Sequence, residues 1–141
     1  MRQMPVAPSP LQVGEYIVRK YEPADAEALV IAVTESCEHL RPWMPWIKFE
    51  PQSVNQREEL IRSWNQAWKD RTEFVMGIYL DDRIVGGTGI HLRGPANTVD
   101  IGYWVHMGYT GRGIASQVSD ALALEAFQLW SEIDTVVIVH D

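Results

Sequence analysis

The sequence predicts a mixed α/β fold, a central sheet flanked by helices, with elements in the order β-α-α-β-β-β-α-β. Three observations carry this. Apolar residues recur at helical spacing in three separate stretches, and strand-like runs either alternate with them or pair across short turns. A glycine-rich joint, Gly108 to Ser116, then links a strand-like run to the last helical stretch. At 141 residues the chain has the length of one domain and can bury a sizeable core.

Met1 to Gly14 is Pro-rich and has no contiguous apolar run of the signal-peptide kind, so a loosely ordered lead-in is expected, with the domain over 15–141. Glu15 to Tyr21 alternates as a strand, Tyr16, Val18 and Lys20 against Ile17, Arg19 and Tyr21. Glu22-Pro23-Ala24-Asp25 starts a helix, with proline in the first turn and acids at the positive end. That helix should run to about His39 and bury Ala26, Leu29, Val30 and Val33; Pro42 and Pro45 then forbid its continuation. Ser53-Val54-Asn55-Gln56 is a capping box opening a second helix to about Asp70, with Leu60, Ile61, Trp64 and Trp68 as its core stripe. Phe74 to Leu80 and Ile84 to Leu92 form a hairpin about Asp81-Asp82-Arg83. Gly86, Gly87 and Gly89 in its second strand call for a bulge or a close neighbour. Thr98 to Val105 is the next strand, a helix follows from about Gly113 to Trp130 with Ala115, Val118, Leu122, Ala126 and Leu129 inward, and Thr135 to Val139 is a short buried strand. The last β-α-β should be a right-handed crossover between parallel strands, which puts the glycine joint at a strand's C-terminal end, where open sheets bind ligands.

That joint reads Gly-Tyr-Thr-Gly-Arg-Gly-Ile-Ala-Ser. Gly111 and Gly113 suit a tight turn and a close ligand approach. The amides of residues 111–116 then project from a helix N-terminus with no intrahelical acceptor, and its partial positive charge favours a phosphate or pyrophosphate. Arg112 adds a charged donor and Ser116 a hydroxyl.

Composition excludes several classes. Nineteen acids against 12 Lys and Arg give a net charge of −7, which opposes general nucleic-acid binding. No apolar run approaches the roughly 20 residues that cross a bilayer. The single cysteine, Cys37, suits a reducing compartment, so the cytoplasm is expected. Cys37 lies within a helical run with no histidine nearby in sequence, which favours a buried thiol over a nucleophile. His39, His91, His106 and His140 lack metal-ligand spacing, so no metal is expected.

The element order, with Asp100-Ile101-Gly102-Tyr103-Trp104-Val105 running into Tyr109-Thr110-Gly111-Arg112-Gly113-Ile114-Ala115, resembles the GNAT superfamily of acetyl-coenzyme A-dependent N-acetyltransferases. Arg41-Pro42-Trp43-Met44-Pro45-Trp46 and Gly86-Gly87-Thr88-Gly89 make it similar to the branch that acetylates N-termini of ribosomal proteins. The resemblance spans roughly Tyr16 to Asp141. It implies acetyl-coenzyme A as cosubstrate, with pantetheine against the backbone of Tyr103, Trp104 and Val105 in a gap between splayed strands. Pyrophosphate would sit on the amides of Gly111, Arg112, Gly113, Ile114, Ala115 and Ser116. Two departures stand out. Gly108 occupies a position where many members carry Gln or Arg, and the chain ends at Asp141 where members continue with a further helix and two strands. The chain therefore resembles a family domain lacking its C-terminal part, and a shortened sheet would expose an open edge that favours self-association.

Acetyl transfer needs a neutral amine, a donor for the thioester oxygen and a proton for the sulfur. A backbone amide near Trp104 or Val105 would serve the oxygen. The resemblance places Asp100 where several members carry a glutamate base; one methylene shorter, it would act through water or stand as an exposed strand-edge carboxylate. His106 is the one histidine to be tested as a base. Trp43, Met44 and Trp46 form either an aromatic rim for a cationic acceptor or a cap over the core. The expected acceptor is a protein N-terminal amine; a polyamine or aminoglycoside, or a coenzyme A-binding module without turnover, are the alternatives.

Overall fold

A computed structural model describes residues 9–40, 53–91, 97–130 and 133–139. Its six-stranded sheet follows chain order: β1 (Leu11–Val13), β2 (Tyr16–Lys20), β3 (Glu73–Leu80), β4 (Arg83–His91), β5 (Thr98–Val105) and β6 (Thr135–Val139). Neighbours are antiparallel from β1 to β5, and β5 pairs with β6 in parallel. The helices are α1 (Ala26–Leu40), α2 (Val54–Asp70) and α3 (Ile114–Leu129).

Alternation along the strands splits the core into two layers. Val18, Phe74, Met76, Ile78, Ile90, Val99 and Ile101 pack with Ile114, Val118, Leu122 and Ala126 of α3. Tyr21, Tyr79 and Ile84, with half-buried Val75 and Trp104, pack with Ala26, Leu29 and Val33 of α1 and Ile61 of α2. The sheet thus carries α3 on one face and the α1–α2 pair on the other.

Local chemistry explains the helix starts. Ser53 and Gln56 exchange both bonds of the capping box, at 3.1 and 2.8 Å, so two otherwise unsatisfied amides of α2 have partners. Pro23 to Asp25 makes a single 3-10 turn before α1, and Asp25 accepts from the Glu22 amide at 2.7 Å.

The structure corrects the sequence reading in four places. β6, expected to be a buried strand, is only half-buried at Val136 and Ile138 and exposed at Thr135 and Val137, since among the described residues it pairs with β5 alone. Leu11–Val13, expected in the loose lead-in, is edge strand β1, turned onto β2 through Gly14 at φ +58°. Leu129 is exposed, because α3 ends there and Trp130, stacked on Phe74, fills the core instead. Val30 is half-buried; Ala32 and Ser36 take inward places on α1. Trp68 is buried, its Nε1 donating to the Val75 carbonyl at 2.9 Å.

Candidate functional site

The joint after β5 is built by backbone conformation. Gly111 and Gly113 lie at φ +80° and +75°, a region that costs other L-residues roughly 1–2 kcal/mol. Gly113 is the N-cap of α3, and the first bond into the helix runs from the Gln117 amide to its carbonyl at 3.0 Å. The amides of 111–116 therefore precede the helical ladder, and among the described residues no protein acceptor is recorded for them. A Cβ placed on Gly111 would meet nothing within 4 Å, so among the described residues the ground before the loop is open. Ile114 anchors the turn in the core, whereas Arg112 and Ser116 are exposed. The Arg112 guanidinium lies 5.0 Å from the centre of the Tyr109 ring.

Side chains of α1 hold this joint in place. His106 Nδ1 accepts from the Gly108 amide at 2.9 Å, and its Nε2 lies 3.0 Å from Glu35 Oε1. Because Nδ1 accepts, the neutral ring carries its proton on Nε2 and donates it to the carboxylate. Ser36, fully buried, accepts from the Met107 amide at 3.1 Å. His106 thus spends both nitrogens on the turn. Glu35 and Ser36 were not legible as part of the site, since 71 residues separate them from the groups they hold.

The strand itself supplies directed backbone groups. The His106 amide bonds the Val85 carbonyl at 2.9 Å, continuing the β4–β5 register. In an antiparallel ladder bonded pairs alternate, so Trp104 and Gly102 direct their backbone groups to β4, and Tyr103 and Val105 direct theirs to the β6 side. The parallel register of β5 with β6 runs from Thr98↔Thr135 to Gly102↔Val139, the last described residue. Of the two amides expected near the thioester, Val105 is the one directed to the β6 side of the strand.

Asp100 and Trp104 share the face toward α1 and α2, with Gly102 between them and nothing within 4 Å of a Cβ built there. Gly87 and Gly89 lie opposite on β4. A Cβ on Gly87 would overlap the Trp104 indole and come within 2.9 Å of the Tyr21 hydroxyl, so the close neighbour expected of that glycine run is present. Among the described residues this floor of glycines is open above Gly102. Asp100 and His106 stand at opposite ends of it, six residues or about 20 Å apart along the strand, so no single amine reaches both. Trp43, Met44 and Trp46 lie outside the described residues.

Across the same floor His91 Nδ1 lies 3.0 Å from Glu73 Oε1. Sequence reasoning found only that His91 lacks metal-ligand spacing, because Glu73 comes to face it only through the β3–β4 register.

Comparison with known proteins agrees with this geometry. Residues 16–141 match the acetyltransferase (GNAT) domain family. The chain belongs to that family. A Bacillus subtilis (strain 168) protein named as a candidate ribosomal N-acetyltransferase, YdaF, is 27% identical over 119 residues. That match covers 83% of this chain and 65% of YdaF, just under two thirds of the relative's length. An acetyltransferase crystal structure superposes with a TM-score of 0.82 at 26% identity, covering 92% of this chain and 72% of that one. RimL, the ribosomal L7/L12 α-N-protein acetyltransferase in complex with coenzyme A, shares the fold at a TM-score of 0.76 and 19% identity, covering 97% and 73%. In this GNAT domain, among the described residues, no three metal-ligating side chains gather and no helix is long and apolar enough to cross a membrane.

Proposed function

We propose that this GNAT domain moves an acetyl group from acetyl-coenzyme A to a protein N-terminal α-amine by direct attack in a ternary complex. The observation that carries the reading is the loop of residues 111–116: outward amides, positive φ at two glycines and open space before them. It fits a diphosphate. Arg112 and Ser116 would add side-chain donors, and pantetheine would follow the β6 side of residues 103–105, where the Val105 amide faces the thioester oxygen.

The acceptor follows from charge and from the relatives. An α-amine with pKa about 7.7–8.0 becomes neutral at pH 7 for about 1 kcal/mol, a lysine at about 10.4 for nearly 5 kcal/mol. The names of YdaF and RimL point to ribosomal proteins as the acceptor class. Asp100 lines the open floor along which the amine would approach, five residues or about 17 Å before Val105, and would act on the nitrogen through a chain of waters. His106 keeps the diphosphate loop in register. Trp43, Met44 and Trp46 would form the rim over the peptide end.

Calorimetry with coenzyme A, alongside an acetylation assay on Ser- and Ala-starting peptides and on a panel of polyamines and aminoglycosides, tests this. The expected result is coenzyme A binding and turnover confined to the peptides. Preference for the small amines would replace the acceptor, and absence of coenzyme A affinity would remove the function.

A further inference from the structure

We propose that Glu35 of α1 receives the acceptor amine and takes its proton, an assignment that rests on the acetyl-transfer reading above. Alternation along β5 puts Asp100, Gly102 and Trp104 on the face toward α1 and α2, and His106, one residue past the strand, follows them. Val105 and Tyr109 pack toward α3 instead, where Ile114, Val118 and Leu122 close the opposite face. An amine approaching a thioester held by the Val105 amide therefore comes from the α1–α2 side. Glu35 reaches that side at the strand's end, its Oε1 3.0 Å from His106 Nε2.

The two hydrogen bonds of the imidazole aim the carboxylate. His106 Nδ1 accepts from the Gly108 amide at 2.9 Å, so the Nε2 hydrogen goes to Glu35. Beside them Ser36, fully buried, accepts from the Met107 amide, which fixes this turn of α1 against the end of β5. The Glu35 side chain is nonetheless 59% exposed, against 15% for His106. Oε1 is bonded, and among the described residues Oε2 has no hydrogen-bond partner. One residue, about 3.3 Å of strand, separates His106 from Val105, against five residues, about 17 Å, for Asp100. The unbonded oxygen therefore stands on the side from which the amine must come, next to the residue that holds the thioester.

A carboxylate in that place attracts the ammonium of a chain end and accepts one of its N–H bonds, which orients the nitrogen. In the reaction the ammonium loses its first proton to solvent. The nitrogen then bonds to the thioester carbon, Glu35 takes a second proton from it, and the C–S bond breaks. Water carries that proton from Glu35 to the coenzyme A thiolate, so acetyl-amide, free thiol and one released proton balance the equation. His106 touches no reacting atom and is a positioning residue for Glu35.

The test uses the full chain with Glu35→Gln and Glu35→Asp. The glutamine oxygen still accepts from His106 Nε2, so Glu35→Gln should melt and bind coenzyme A as the parent does. Its kcat for a Ser-starting peptide should fall by about 10²–10⁴-fold, with Glu35→Asp recovering part of the loss. Calorimetry on the coenzyme A complex then compares that peptide with its des-amino analogue. The parent should bind the amine form about tenfold more tightly, and Glu35→Gln should bind the two alike. Glu35→Gln with parental kcat, or a parent that binds both peptides alike, overturns the assignment and leaves the transferase reading standing. So does a Glu35→Gln protein whose coenzyme A affinity falls as far as its turnover, since Glu35 would then only seat the loop. If the parent fails to bind coenzyme A, the transferase reading falls, and the assignment with it.

Discussion

Replacing Gly111 by valine separates the loop's conformational cost from its binding role. Gly111 sits at φ +80°, where an L-residue costs roughly 1–2 kcal/mol and a β-branched one more. At about 4 °C per kcal/mol for a domain of this size, Tm should fall by about 4–8 °C. The new side chain meets no protein atom within 4 Å of its Cβ, so nothing else in the fold repacks. It would instead stand in the space before the amides. Loss of two amide-to-phosphate bonds, each worth about 1.5–3 kcal/mol with a charged acceptor, removes about 3–6 kcal/mol of binding. That corresponds to a coenzyme A affinity weakened by about 10²–10⁴-fold, at 1.4 kcal/mol per factor of ten. Thermal unfolding and calorimetry on the same sample, below its lowered Tm, read the two effects separately. A folded Gly111→Val protein that binds coenzyme A within about threefold of the parent would refute the loop as the diphosphate cradle.

Gly86→Ala should destabilise by about 1–3 kcal/mol in thermal melts, since its Cβ would overlap the Trp104 carbonyl and press on the β4–β5 ladder, whereas Gly102→Ala should leave Tm nearly unchanged while lowering turnover on the open floor. Ser53→Ala should cost about 1 kcal/mol in chemical denaturation by removing the α2 cap. Burial raises the Asp25 carboxyl, but bonds from Arg19, the Glu22 amide and the Tyr79 hydroxyl outweigh it and hold the pKa below the usual carboxylate value. With the folded pKa depressed, the stabilisation is whole above the unfolded value of about 3.9 and fades as pH falls through the folded one. Asp25→Asn should thus lower Tm at pH 7, and the gap to the parent should close on acidification.

Sequence resolved best what local chemistry decides. Thr98–Val105 and Thr135–Val139 appear with the bounds their β-branched runs imply, and the Ser53–Gln56 box begins α2 where the pattern places it. Leu11–Val13 escaped notice because three residues between Pro10 and Gly14 carry too short an alternation; only pairing with β2 makes them a strand. Leu129 satisfied the helical period, but the chain leaves the helix one residue later and Trp130 reaches the core from there. The loop glycines were legible because φ above zero favours glycine. Glu35, Ser36, Glu73 and His91 were not, since each acts on a group from a different element.

The β3–β4 bulge shows how that last kind of information is stored. At the hairpin's tip Leu80 faces Arg83 and Tyr79 faces Ile84, but beyond it Ile78 faces Gly86, so Val85 is an extra residue on β4. Its carbonyl takes the His106 amide, which ties the bulge to the end of β5. Were Val85 paired in a regular ladder instead of bulged, Ile90, not His91, would stand opposite Glu73, and every β4 side chain beyond would change face. Ile90 would then point at the glycine floor and His91 into the α3 core, unpaired with a carboxylate. The run Gly86-Gly87-Thr88-Gly89 tolerates both this shift and the close approach of Trp104. One inserted residue therefore decides which chemistry the open face of β4 presents, and it does so from a distance of six residues along the strand.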